Sequence, residues 1–224
     1  MANVYIGVGH GGSDPGAVAN GLKEKDVNLA VALACRDELE RHDVTVLMSR
    51  TTDEEGTVSA KAAECNAFDA DLAADIHFNA GGGDGAEVFH HHGGGKGKTL
   101  AKNILAEMVA IGQNSRGAKT KVENGVDYFG FIRETYCPAV IIEGAFLDNA
   151  ADVQIIDTAE EQKAMGVAIA KGFLKTLGIA WKEPVVESNT LYRVQVGAYR
   201  VKANAEAMQR KLQADGYQTI IVTV

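Results

Sequence analysis

Short apolar runs alternate with amphipathic stretches along the first 178 positions. Val4–Val8, Val44–Met48, Leu72–Phe78, Ala86–His91 and Pro138–Glu143 are strand-sized. Between them, Asp26–Arg41 sets Val27, Leu29, Ala30, Leu33, Ala34 and Leu39 near a helical period. Lys98–Ile111 repeats Leu100, Ile104, Leu105, Met108 and Ile111 on one helical stripe. Ser59–Phe68 predicts a further helix with Ser59 as its N-cap, and Ala159–Leu177 a last one stopped by Gly178.

This β-α-β-α order predicts an α/β domain built on a mostly parallel sheet. Continuously apolar strands imply that helices cover both faces of that sheet. Residues 1–178 make up this domain. Ile179–Thr190, with Pro184 and mixed polarity, reads as a linker. Beyond it, Leu191–Gly197 reads as a strand, Asn204–Ala214 as a helix and Thr219–Val224 as a strand, a small β-α-β segment spanning 191–224. Glycines cluster at Gly7–Gly12, Gly81–Gly85 and Gly93–Gly97; the last two clusters flank Ala86–His91 and suggest a hairpin-like excursion.

Composition narrows the function classes. Of 224 residues, 46% are hydrophobic and 23% charged, which excludes disorder for the bulk of the chain. No apolar run reaches the length of a membrane span, and MANVYIGVGHGG lacks the pattern of a secretory signal. The cysteines Cys35, Cys65 and Cys137 are scattered, which fits a reducing compartment. Net charge is −8. The last 46 residues hold 6 basic and 4 acidic groups, so the excess of acid lies in the first 178. An acidic body is a poor nucleic-acid partner, and no membrane contact is expected.

In open parallel sheets, ligands bind beyond the carboxyl ends of the strands. His10 follows the first strand, His77 closes the third, and Glu143 closes the Pro138–Glu143 strand. Two imidazoles need one more ligand for a hydrolytic metal site, and Asp14, Glu24 and Asp26 all follow His10. A rival reading takes Gly7-Val8-Gly9-His10-Gly11-Gly12 as a dinucleotide fingerprint, with Arg50 meeting a 2′-phosphate. Ser13-Asp14-Pro15-Gly16 stands where that fingerprint needs a helix. The run His90-His91-His92 is discounted as a chelating tract, because alternation along a strand sends His91 away from its neighbours. Cys137 reads as an inert thiol.

GHGGSDPGAVANGLKEKDVNLAVA, SRTTDE, AADIHFNAGGGDGAEVF, SRGAK and FIRETYCPAVIIEGAFLDNAAD, in that order, resemble the zinc-dependent N-acetylmuramoyl-L-alanine amidases of the amidase-3 family. The resemblance covers about residues 3–178. It departs at Gly7-Val8-Gly9-His10, where many members carry Asp-Pro before Gly-His. It implies a twisted six-stranded sheet flanked by helices. It also implies His10, Glu24 and His77 as zinc ligands, choosing Glu24 over Asp14, and Glu143 as the catalytic carboxylate. The implied reaction is hydrolysis of the amide between N-acetylmuramic acid and L-alanine in peptidoglycan. Arg133 is a candidate partner for a stem-peptide carboxylate, and Asn79 a candidate substrate donor. The alternative class is a catalytically inactive wall-binding protein on the same fold.

The tail, with VQVGAY, NAEAMQRKL and DGY, resembles the first half of a SPOR-type peptidoglycan-binding repeat. One β-α-β half is too small to bury its own core, so a homodimer through residues 191–224 is expected. With no signal visible, the expected setting is cytoplasmic synthesis followed by lysis or holin-mediated release. That setting fits a phage or prophage endolysin best, with a mother-cell lysin of a spore-former as the alternative.

Overall fold

A computed structural model of the chain describes residues 2–184 and 194–223. They divide into two compact units, one ending at Lys182 and one starting at Glu183.

The first unit runs β1 (Asn3–Val8), β2 (Val18–Ala19), β3 (Leu22–Lys23), α1 (Glu24–Glu40), β4 (Thr45–Met48), α2 (Val58–Ala67), β5 (Leu72–Asn79), β6 (Ala86–His90) and α3 (Gly95–Ala110). It continues with β7 (Ser115–Lys119), β8 (Val122–Glu123), β9 (Val126–Asp127), α4 (Gly130–Glu134), β10 (Ala139–Phe146), α5 (Ala150–Val153) and α6 (Ala159–Leu177). The main sheet has six strands in the order β4-β1-β5-β10-β6-β7. β4, β1, β5 and β10 run parallel; β6 pairs antiparallel with β10 and parallel with β7. The expected mostly parallel sheet is therefore present. Ala86–His90 is an inner strand of it, not an excursion.

Side chains leave each strand alternately to its two faces. Val4, Ile6, Val8, Leu72, Ala74, Ile76, Val140 and Ile142 enter the larger core together with residues of α1, α3 and α6. Tyr5, Ala73, Ala139 and Ile141 enter a smaller core with Cys65, Phe131 and Ile132 of α2 and α4. Along β5, β10 and β6, the face of the smaller core continues into Asp75, His77, Glu143 and Glu87. The second face thus turns polar toward the carboxyl ends of the parallel strands.

Several boundaries differ from the pattern-based expectation. Thr57, not Ser59, caps α2: its hydroxyl accepts from the Ala60 N–H at 3.2 Å. The residue in extended conformation before the first turn makes that bond. β7 (SRGAK) has no apolar alternation because it is an edge strand. Past Gly178, the chain stays on this unit. Trp181 packs on His42 with ring centroids 4.9 Å apart, and Lys182 N–H donates to His42 Nε2 at 2.9 Å.

In the second unit, α7 (Lys202–Ala214) covers the expected helix. Among residues 194–223 no strand forms; Leu191–Arg193 and Val224 of the two expected strands, and residues 185–190 of the expected linker, lie outside the described residues. A strand needs a partner to hydrogen-bond, and Val194, Val196, Ile220 and Val222 are exposed. No helix among the described residues is long and apolar enough to cross a membrane.

Candidate metal centre

The center is assembled from three segments. β1 delivers the chain to His10, which takes a left-handed φ of 55°. Such a conformation is uncommon for a residue with a Cβ. Gly16 lets the following loop close: a Cβ there would stand 2.6 Å from Glu24 Oε2 and 2.7 Å from His10 Cδ2. Gly9 has the same role beneath His77, where a Cβ would come within 2.4 Å of Cε1.

Glu24 opens α1 and is buried. Its Oε1 lies 3.1 Å from His10 Nε2 and 3.1 Å from His77 Nδ1. The Phe78 N–H donates to the same oxygen at 3.2 Å, and the Ala17 N–H to Oε2 at 2.9 Å. The two imidazoles meet edge to face, centroids 5.0 Å apart. Burial alone would raise the Glu24 pKa, but the His10 and His77 rings and the Ala17 N–H outweigh it and hold the carboxyl low.

Each imidazole has a further carboxylate on its other nitrogen. His10 Nδ1 lies 2.6 Å from Asp14 Oδ2. His77 Nε2 lies 3.5 Å from Asp75 Oδ2, and buried Lys61 holds Asp75 at 2.9 and 3.1 Å. Asp14 therefore sits behind His10, on the nitrogen turned away from Glu24. Asp75, which sequence reasoning passed over, was detectable as a lone charge inside the apolar run of β5.

Glu143 stands in register with His77 on one side and with Glu87 on the other. Burial, offset in part by His77 and reinforced by the Glu24, Glu87 and Asp75 charges, pushes its carboxyl from 4.5 up to about 7. That suits proton exchange near neutral pH. Glu87 is itself held by Asn79 Nδ2 at 3.1 Å, Arg116 Nε at 3.0 Å and Lys119 Nζ at 2.5 Å. Asn79 thus lies in this row through Glu87. Arg133 lies on α4 and donates to the Asp127 carbonyl at 2.9 Å and to Glu134 at 3.1 Å; no hydrogen bond joins it to His10, Glu24, His77 or Glu143.

Two imidazole nitrogens and one carboxylate oxygen, converging and already desolvated, are a donor set that fits a borderline divalent ion. The dinucleotide reading loses its parts. Gly11 and Asp14 bridge where a helix was required, and buried Arg50 turns both terminal guanidinium nitrogens to the carbonyls of Gly9, Lys25 and Thr52.

Comparison with known proteins decides the family. Residues 4–175 match the model of the N-acetylmuramoyl-L-alanine amidase family Amidase_3. The chain belongs to that family. Residues 170–224 match the SPOR domain. The amidase is 34% identical over 226 residues to N-acetylmuramoyl-L-alanine amidase CwlM of Bacillus licheniformis, covering 99% of this chain and 85% of that one. The sporulation-specific N-acetylmuramoyl-L-alanine amidase of Bacillus subtilis matches with the same identity and coverage. Among solved structures, Cwp6 from Clostridium difficile superposes with a TM-score of 0.77 at 36% identity, over 79% of this chain and 29% of that one. The amidase is accordingly a peptidoglycan hydrolase of a metal-dependent family.

Proposed function

We propose that residues 1–178 cleave the amide between the lactyl group of N-acetylmuramic acid and L-alanine, with zinc held by His10, Glu24 and His77. The observation that supports this reading is the convergence of His10 Nε2 and His77 Nδ1 on one oxygen of buried Glu24, with Glu143 in register beside His77. The ion, when bound, supplies Lewis acidity toward water and the scissile carbonyl. Glu143 takes a proton from the attacking water and hands it to the departing amine. Burial raises this carboxyl above the ordinary range, which favours its handing the proton on once it has taken it. Glu24 stays ionised and anchors both rings; Asp14 and Asp75 fix their tilt from behind.

Asn79 and Arg133 are proposed substrate contacts. Asn79 adjoins the Glu143 row through Glu87, and Arg133 has guanidinium donors beyond those given to Asp127 and Glu134. Alanine at either position should raise KM and leave kcat near its original value.

The decisive experiment combines metal analysis with a wall-lysis assay on the full chain and on Glu143→Ala. Lysis by the parent, lost in the variant while zinc stays bound, supports the mechanism. Equal lysis by both proteins overturns the assignment of Glu143. A zinc-loaded parent without lytic activity would support the inactive wall-binding reading.

The tail is proposed to bind wall and to pair with a second copy, joined through residues 183–190 to the catalytic part, which keeps residues 179–182 of the expected linker. The exposed apolar positions Val194, Val196, Ile220 and Val222 support it. Gel filtration of the full chain and of a chain lacking 185–224 tests the pairing; a monomer mass for both overturns it. For the setting, a match over 99% of this chain and 85% of a sporulation-specific relative favours a mother-cell lysin over the phage endolysin first expected.

A further inference from the structure

A second cluster repeats the geometry of the first at the other end of the sheet. β6 runs antiparallel to β10, so His90, its last residue, pairs with Val140 near the start of β10. The His10, Glu24 and His77 cluster lies instead at the carboxyl ends of β1 and β5. Because β6 stops at His90, strand alternation no longer governs the next two residues. His91 and His92 turn together and stack, ring centroids 4.5 Å apart and 29° between planes. This overturns the expectation that His91 points away from its neighbours.

Both rings reach one carboxylate oxygen. Asp127 Oδ2, on β9, lies 3.0 Å from His91 Nε2 and 2.7 Å from His92 Nδ1. Its other oxygen, Oδ1, accepts the His92 backbone N–H at 2.9 Å. Glu24 has the same arrangement, one oxygen between two imidazole nitrogens and the other fixed by a backbone N–H. Asp127 is also buried, at 3% exposure. A buried carboxylate aimed at two imidazoles, with solvent on the remaining side, offers three ligands and open positions for water.

We propose that His91, His92 and Asp127 form a second divalent-metal site, suited by its two nitrogens and one oxygen to zinc, nickel or copper. His90 is not a ligand: its ring is buried and its Nδ1 faces the His91 carbonyl at 2.8 Å. In the metal-free chain, His91 Nδ1 accepts the Gly93 N–H at 3.0 Å, which leaves the ring proton on Nε2. Coordination through Nε2 moves that proton to Nδ1 and turns the Gly93 N–H, which is exposed, to water. The ion would tie the β8–β9 hairpin to the end of β6. Since about half of each imidazole is exposed, with side-chain exposures of 52% and 46% against 25% and 22% at the first cluster, the second site binds more weakly.

The test is equilibrium dialysis of the chelator-stripped full chain against zinc, with parent, His91→Ala, His92→Ala and His77→Ala side by side. The parent should take up two ions, and each variant should lose one or hold it at least about tenfold more weakly. Copper titration read by electron paramagnetic resonance should show two nitrogen-ligated species in the parent and one in His91→Ala. His91→Ala removes only a half-exposed ring, and His92 still holds Asp127, so the fold has little reason to fail. Uptake of the same number of ions with the same affinities by the parent, His91→Ala and His92→Ala overturns the second site. An unchanged stoichiometry in His77→Ala alone would instead count against the first cluster.

Discussion

Glu143 and His77 sit directly across from each other on parallel strands β10 and β5, on the same face of the sheet. This pairing sets the proposed acid–base carboxyl beside a proposed metal ligand without any loop having to position it. It also makes the chemistry depend on how deeply the carboxyl is buried.

The pH profile should carry the mark of Glu143. As the base it must be ionised, so activity rises with pH through its pKa. Without metal that value is about 7, and a bound dication draws it lower. The acid limb of kcat/KM is therefore expected below pH 7. Glu143→Ala should cost about 10²–10⁴-fold in kcat. A flat profile from pH 5 to 8 would contradict this assignment.

The same burial makes Glu143 a liability to the metal-free fold. A carboxyl raised from 4.5 to about 7 stabilises the folded state fully below 4.5, and that contribution is lost as pH climbs through 7. The difference is about 3 kcal/mol. Metal-free Glu143→Gln should therefore melt several degrees above the metal-free parent at pH 8, with the gap closing near pH 4. Thermal melts at the two pH values check it; equal melting temperatures at pH 8 would show that the carboxylate is not strained.

Asp14 and Asp75 should separate into affinity and stability. Asp14 is half exposed and contacts His10 Nδ1, so Asp14→Asn should weaken zinc binding about tenfold and leave the melting temperature unchanged. Asp75→Asn also strands buried Lys61, a loss of about 3–5 kcal/mol on top of weaker binding. Zinc competition with a chromogenic chelator, paired with urea denaturation, tells the two apart.

Cys65 and Cys137 place their sulfurs 3.7 Å apart, although 72 residues separate them in the chain. A small rotamer change brings them to bonding distance. Mild oxidation should therefore give an intramolecular disulfide, visible as the loss of two hydrogens by mass spectrometry. It should also stabilise the chain, since the loop closed is long. Cys35, buried alone, should stay reduced.

The sequence alone determined the order of strands and helices, because burial on two faces imposes apolar runs and helical stripes that survive in one dimension. It also placed the tail helix, and it put His10, His77 and Glu143 toward the carboxyl ends of β1, β5 and β10, although β5 runs on past His77 to Asn79 and β10 past Glu143 to Phe146. Polar pairing left no such trace. The edge strand β7 has no apolar face to conserve a period. Whether Asp14 or Glu24 faces between the rings depends on the loop that Gly9 and Gly16 allow to close. That Glu87 joins the Glu143 row, and that Asp127 meets His91 and His92, depends on β6 running against its neighbour. Those juxtapositions join residues distant in the chain, so strand direction and register, which only the tertiary structure fixes, decided them.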